Sequence, residues 1–182
     1  GAVVVDDAMR TSVANIFAIG DVTGTVQLAH VASSQALAAA ENATGGDEKM
    51  DYRLIPGCIF TLPEIGSVGM TEDEAREAAG EVNVGIFPYA ALGRALVTDE
   101  TEGFFKIIAD AATDEILGVH IFGAHATDLA SEAVAAMHLE TTAEELGRAI
   151  HAHPTLSEGM MEAAHAVHGE CVHLPPPRKR KK

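Results

Sequence analysis

A short break between two strand-like segments is the feature that most restricts the fold of this chain. Residues 103–109 and 115–122 are apolar and β-like, and turn-forming acidic residues flank the connection from Asp110 to Asp114. Such a connection predicts a hairpin. With a further strand at roughly 82–89, the pattern predicts an antiparallel meander and not a βαβ series.

Helical patterns accompany these strands. The Thr-x-x-Glu box at Thr71–Glu74 predicts a helix to about Ala79, and further helices are expected over about 126–139, 142–150 and 155–168. The segment "CIFTLPEIGSVGM" is strand-like and is interrupted by Pro63. We therefore predict an α+β fold in which helices flank an antiparallel sheet.

The first fifty residues follow a different pattern. An apolar β-like run opens the chain, and a short buried strand is predicted at Ile16–Ile19, stopped by Gly20 and Asp21. A helix rich in alanine and serine is then expected from about Leu28 to Ala43. Because Asp47–Pro56 is polar and irregular, we predict domains at 1–50 and 51–170, followed by a proline-rich basic tail at 171–182.

Composition narrows the class of protein. The 182 residues are 47% hydrophobic, which is enough for a packed core, and no apolar run long enough for a membrane span is present. The net charge of −15 disfavours nucleic acid as a partner, and the basic tail is expected to be solvated or to contact an acidic partner. The cysteines, Cys58 and Cys171, lie far apart, so we expect a reducing, cytoplasmic compartment.

The stretch "HAHPTLSE" from His151 to Glu158 carries the clearest chemical pattern. In one interpretation Thr155 is a helix N-cap and Glu158 is its capping-box partner. The same carboxylate could also hold one nitrogen of an imidazole protonated and raise the basicity of the other, as in general base catalysis. The sequence alone leaves open whether His151 or His153 is that imidazole.

Five histidines near the carboxyl end raise the alternative of a metal site. They are His151, His153, His165, His168 and His173. The alanine-rich helix predicted over 155–168, which carries His165 and His168, offers no cysteine or aspartate to complete a tetrahedral set. We therefore favour surface or interface histidines and predict no metal.

A second candidate site lies near the start of the chain. Gly20 permits a tight turn, and Asp21 could accept hydrogen bonds from ligand hydroxyl groups at the end of a strand. The helix that follows could direct its N-terminal dipole at the negative end of the same ligand. A simple turn remains the alternative at this point.

Together these motifs resemble a known family. "TSVANIFAIGDV" followed by "LAH", "FTLPEIGSVGMTEDEA", "LGVHIFGAHATDLASEA" and "HAHPTLSE" are similar to the carboxyl-terminal part of the dihydrolipoamide dehydrogenases, a branch of the FAD-dependent pyridine nucleotide-disulfide oxidoreductases. The resemblance covers essentially the whole chain. It implies that 1–50 is the end of a Rossmann-like FAD-binding domain, with its last strand and helix, and that 51–170 is a dimerisation domain.

The resemblance also implies roles for single residues. His153 would be the catalytic base, oriented by Glu158, and the His153–Pro154 bond is often cis in this family. At the cofactor, Gly20 would form the turn and Asp21 would bond the ribityl chain of FAD. Backbone amides at the pyrimidine edge of the flavin would come from the run Gln27, Leu28, Ala29 and His30.

Partners and limits follow from the same resemblance. A parent enzyme would be a homodimer with FAD and NAD as cofactors, and would meet a 2-oxo acid dehydrogenase or glycine cleavage complex through lipoyl domains. The Gly-x-Gly-x-x-Gly loop and the Cys-x4-Cys disulfide of the family do not occur here. We therefore expect this chain to be a part of a larger enzyme that neither retains FAD nor turns over alone. The alternatives are a non-catalytic dimerisation module or the same domain of another disulfide reductase.

Overall fold

The computed structural model describes residues 1–174, so the predicted proline-rich basic tail at 171–182 lies outside the described residues from position 175 onward. The chain divides into two compact units, Gly1–Tyr52 and a second unit that begins at Arg53. Within residues 1–174, no helix combines the length and the apolar character that crossing a membrane requires.

The first unit contains one long helix. A 3-10 turn at Gly20–Thr23 precedes helix α1, Ala29–Ala43, which matches the predicted helix. Helix α1 buries one face, formed by Val31, Gln35, Ala38 and Asn42. The spacing of these residues is that of a single helical stripe.

The strand predicted at Ile16–Ile19 is wrong. Phe17 makes only an isolated bridge with Arg10, and Ile16 and Ile19 have 53% and 36% of their surface exposed. An apolar run becomes a strand when neighbouring strands satisfy its backbone groups. Within the first unit, the described partners of this run amount to isolated bridges and turns.

The second unit is built on a five-stranded antiparallel sheet. Its strands are β1 (Gly57–Ile59), β2 (Glu64–Gly69), β3 (Val82–Pro88), β4 (Phe104–Asp110) and β5 (Ile116–Gly123), in the order β1-β2-β5-β4-β3. The predicted meander is β3-β4-β5. In the hairpin, Asp110 Oδ1 accepts hydrogen bonds from the backbone N–H groups of Ala112 and Thr113, both at 2.8 Å. The predicted α+β architecture is confirmed.

Within the described part of this unit there are five α-helices. They are α2 (Glu72–Ala79), α3 (Gly93–Thr98), α4 (Ala126–His138), α5 (Ala143–Arg148) and α6 (Glu158–Val167). The capping box predicted for α2 is present. Helix α3 is not foreseen by the sequence interpretation, and the predicted N-cap of α6 is wrong, because the helix begins at Glu158 with Ser157 as its N-cap and not Thr155.

The two faces of the sheet pack against different helices. Residues 105 and 107 of β4 join the main core with α4, α5 and α6, whereas Ile108 packs with Ala75 of α2. This alternation follows from the two-residue period of a strand. Helix α6 lies close to the sheet, since a Cβ built on Gly159 would approach Phe105 to 2.2 Å. The close packing fixes the helix that begins with Glu158.

Candidate active site

The predicted base and its predicted orienting carboxylate lie side by side. His153 Nδ1 is 2.8 Å from Glu158 Oε1, and 75% of the His153 side chain is exposed, against 13% for Glu158. Among the described residues, no hydrogen-bond partner meets His153 Nε2. The imidazole is therefore held through one nitrogen and presents the other to solvent.

The environment of Glu158 keeps it ionised. Burial opposes the charge, but hydrogen bonds from the Thr155 N–H, at 2.8 Å, and from His153 hold the pKa of Glu158 below its usual value. An ionised carboxylate can only accept hydrogen bonds, so His153 donates from Nδ1. A neutral ring in this tautomer carries its lone pair on the exposed Nε2, where it can accept a proton.

The geometry distinguishes the two histidines that the sequence left open. His151 Nδ1 is 2.8 Å from Ala149 O, its Nε2 is 2.7 Å from Glu132 Oε1, and its side chain is only 7% exposed. Both ring nitrogens are therefore engaged. Of the pair, His153 has the nitrogen that an external molecule can reach.

An open cleft of about 420 Å³ adjoins this segment. It is lined in part by Pro154 and Thr155, with Arg94 of α3 and His125 at the start of α4. The His153–Pro154 peptide bond is cis, as the resemblance implies. A molecule in this cleft would lie next to the residues that follow the imidazole.

The second predicted site, which carries the cofactor-binding residues implied by the resemblance, lies in the first unit. Gly20 has a φ of +70°, so the predicted tight turn is confirmed, and its N–H donates to Gln35 Oε1 at 2.7 Å. Asp21 is exposed within the 3-10 turn. The remaining predicted cofactor residues are also exposed: Gln27, Leu28, Ala29 and His30.

These residues fit the group that the resemblance implies. Leu28 is the N-cap of α1, and its side chain makes no capping hydrogen bond. The first N–H groups of a helix have no acceptor inside the helix, which makes this end suited to carbonyl oxygens or negative charge on a ligand. With the exposed Asp21 carboxylate nearby in sequence, the donor and acceptor set suits a flavin that carries hydroxyl groups.

Several supporting residues were not found by sequence reasoning. Gln35 is fully buried and also donates to Tyr52 Oη at 2.9 Å, Glu132 holds His151, and Glu64 Oε2 accepts from Thr127 N and Oγ1. The available signal for Gln35 was a polar residue on the buried stripe of an alanine-rich helix. The contacts of Glu132 and Glu64 join residues far apart in sequence, and no local pattern predicts them.

The histidines do not converge on a common point. Within residues 1–174, no group of three or more His, Cys, Asp or Glu side chains is arranged to hold a metal ion. His151 and His153 turn to different carboxylates, while His168 Nε2 lies 3.1 Å from Asp114 Oδ1. The carboxylate pairs therefore account for these rings.

Two family models match this chain. Residues 55–164 match the dimerisation domain of the pyridine nucleotide-disulphide oxidoreductases, and residues 1–36 match the pyridine nucleotide-disulphide oxidoreductase family. The chain belongs to the pyridine nucleotide-disulphide oxidoreductases. Enzymes of this family depend on FAD and NAD.

Relatives of this oxidoreductase family include named enzymes. The chain is 48% identical over 175 residues to a dihydrolipoyl dehydrogenase of Bacillus subtilis, covering 96% of this chain and 37% of the relative. It is 45% identical over 178 residues to that of Corynebacterium glutamicum, covering 96% of the chain and 38% of the relative. The chain thus spans well under half the length of the curated relatives it matches.

Solved structures show the same fold. The crystal structure of LpdA from Mycobacterium tuberculosis superposes with a TM-score of 0.84 at 30% identity, over 90% of this chain and 36% of the other. The Cu(II) complex of the flavoprotein disulfide reductase RclA from Escherichia coli gives a TM-score of 0.83 at 30% identity, over 90% and 38% of the two chains. Both similarities cover most of this oxidoreductase chain.

Proposed function

We propose that this chain is the carboxyl-terminal part of a dihydrolipoyl dehydrogenase and supplies its catalytic base and dimer interface. The observation that carries the proposal is the 2.8 Å contact between His153 Nδ1 and Glu158 Oε1, with Nε2 left open to solvent. The dihydrolipoyl dehydrogenases at 45–48% identity support the substrate class.

The chemistry required of His153 is removal of a thiol proton. A thiol with an ordinary pKa of about 8.5 is mostly protonated at neutral pH, and only the thiolate attacks a disulfide. His153 Nε2 takes the proton of one dihydrolipoamide thiol, which leaves a thiolate and an imidazolium. The Glu158 carboxylate then stabilises the positive charge on the ring, because it accepts from Nδ1 in both states.

Part of the cofactor site is proposed to lie in the first unit. Asp21 would bind hydroxyl groups of FAD, and the α1 amino end would face its flavin edge. When bound, FAD relays the electron pair of the dithiol to NAD. We propose that this chain alone retains no FAD, because the phosphate-binding loop of the family is absent from its sequence. Gel filtration after incubation with FAD tests this point, and stoichiometric retention would contradict it.

The dimer interface is proposed from the matched domain and from exposed apolar side chains. Large apolar residues of the second unit are largely exposed: Phe60 (80%), Leu62 (97%), Val97 (77%) and Ile150 (101%). Exposed apolar surface of this kind is typical of interaction surfaces. Ile150 immediately precedes His151, so an interface at this point would bring the His153 segment close to a second subunit.

A chimera tests the proposed activity. The 175 matched residues replace the corresponding part of the Bacillus subtilis enzyme, and dihydrolipoamide oxidation is followed as NADH formation. The chimera is expected to turn over, and His153→Gln is expected to lower kcat/KM by roughly 10²- to 10⁴-fold without loss of folding. His138→Gln, at the exposed end of α4, is the matched control and should leave turnover unchanged. Near-normal turnover of the His153 variant would remove the assignment.

A further inference from the structure

We propose that His151 and Glu132 form a positioning pair that fixes the segment carrying His153. The pair lies outside the proposed proton transfer, since both ring nitrogens of His151 are already engaged by Ala149 O and Glu132 Oε1. The inference rests on the proposed function, because positioning matters only if His153 acts as the base. It concerns the backbone and ring orientation of the segment, which can be measured without activity.

The segment between α5 and α6 has little backbone support of its own. Among the described residues, no N–H from 150 to 157 donates to a backbone carbonyl. The Thr155 N–H instead bonds Glu158, and Thr155 Oγ1 donates to Ala152 O at 2.7 Å. The orientation of His153 therefore depends on side-chain hydrogen bonds.

His151 supplies those bonds on the amino-terminal side of His153. Its Nδ1 meets Ala149 O at 2.8 Å and its Nε2 meets Glu132 Oε1 at 2.7 Å. The imidazole is therefore held at two points, one on the backbone and one on α4. Because only 7% of its side chain is exposed, the ring has little room to leave this position.

Glu132, the other member of the pair, lies on a helix that is packed closely against the sheet. Helix α4, which carries Glu132, lies close to β2, since a Cβ on Gly66 would approach Ala126 O to 2.1 Å. Glu64 of β2 also bonds Thr127 at the start of α4 through both its N–H and its hydroxyl. His151 thus ties the segment to a helix that is itself fixed on the sheet.

Glu132 and Glu158 anchor the His153 segment at two points, one before residue 153 in the sequence and one at and after it. Glu132 fixes residue 151, and Glu158 fixes the ring of residue 153 and the N–H of residue 155. Loss of either anchor would allow Nε2 to move relative to a bound thiol. A displacement of about 1 Å at a reacting atom can lower a rate about 10²-fold.

Nuclear magnetic resonance on the 182-residue chain tests the inference directly. Backbone order parameters of residues 150–153 and the ring ¹⁵N shifts of His153 are measured in the unaltered chain, in His151→Ala and in Glu132→Ala. We expect order parameters near 0.85 to fall below about 0.6 in both variants. The Nδ1-protonated form of His153 should lose population, while Glu132→Gln, which keeps an acceptor, should restore much of both signals.

A control variant and an activity measurement distinguish failure of this inference from failure of the proposed function. His138→Ala, on the same helix, should change nothing, and in the chimera His151→Ala should lower kcat about 10²-fold with a smaller change in KM. Unchanged order and tautomer in both alanine variants would overturn the inference. An inactive unaltered chimera would overturn the proposed function, while the resonance data would still decide the positioning role. If His151→Ala does not fold, the two Glu132 variants decide.

Discussion

Replacement of Glu162 is predicted to lower the stability of the chain and to remove one source of its loss of stability in acid. The Glu162 side chain is buried in α6, and the residue is 1% exposed. Its Oε2 accepts from Cys171 Sγ at 2.9 Å, from Val172 N at 3.0 Å and from His173 N at 3.3 Å, while Oε1 lies 2.6 Å from His173 Nδ1. One carboxylate therefore anchors the segment that follows α6.

The magnitude follows from these four bonds. In Glu162→Gln, the amide oxygen can occupy the Oε2 position and keep three neutral hydrogen bonds. Hydrogen bonds to a charged group are stronger than neutral ones, so we expect the free energy of unfolding to fall by about 2 kcal/mol. In Glu162→Ala all four part-buried hydrogen bonds are lost, and at roughly 1 kcal/mol each the expected loss of unfolding free energy is about 4 kcal/mol. The conservative variant should thus cost roughly half as much as the truncation.

The pH dependence gives the sharper test. Burial opposes ionisation, but bonds from Cys171 and His173 hold the pKa of Glu162 below its ordinary 4.5, so its contribution is present above that value and is lost as the pH falls through the lowered one. Glu162→Gln cannot ionise, so the part of the stability that the unaltered chain loses through Glu162 in acid should be missing from the pH profile of the variant.

Urea unfolding followed by circular dichroism measures the global effect, and hydrogen exchange at the Val172 and His173 amides measures the local one. Glu170→Gln is the matched control, since Glu170 is exposed on the same segment, and it should change stability by less than about 0.5 kcal/mol. The reasoning fails if Glu162→Ala costs under about 1 kcal/mol, or if the two amides exchange at unchanged rates in that variant.

Two further predictions concern packing and association. Gly159→Ala should destabilise the chain by about 1–3 kcal/mol in thermal unfolding, because the new Cβ would lie 2.2 Å from Phe105. Gly93→Ala is the control and should be tolerated, because the nearest contact of its new Cβ is at 3.9 Å. Equal losses of stability in the two variants would contradict this description of how α6 packs. Ile150→Ser should weaken self-association in analytical ultracentrifugation, whereas Leu37→Ser should not, because Leu37 is 75% exposed on α1, outside residues 55–164 that match the dimerisation domain. Unchanged association of the Ile150 variant would count against the proposed interface.

Local sequence chemistry accounts for the elements that were predicted well. The Thr71 box and the Asp110 turn are both satisfied by residues within three positions, so their hydrogen bonds are encoded in the sequence itself. The contact between His153 and Glu158 spans five residues and was within reach of the same reasoning. Helix α3 has only six residues and begins with Gly93, so the segment is too short to show a helical period in the sequence.

Long-range pairing accounts for what sequence reasoning missed. Strand β5 pairs with β2 and not with a later strand, an arrangement set by the core and not by any turn. The bond between Glu64 and Thr127 joins residues 63 positions apart. The run at Ile16–Ile19 has a strand composition, yet its structure depends on partners that composition does not specify.

In the described part of the second unit, three carboxylate–imidazole contacts involve a glutamate, and exposure together with position separates their roles. His151, His153 and His173 lie 2.7, 2.8 and 2.6 Å from Glu132, Glu158 and Glu162. The first ring is enclosed, so its contact can only fix structure. The third is 62% exposed, but neither His173 nor a residue next to it lines the cleft described above. The second combines an open nitrogen with a neighbouring proline in the cleft wall, and this combination favours His153 as the residue that exchanges a proton with a bound molecule.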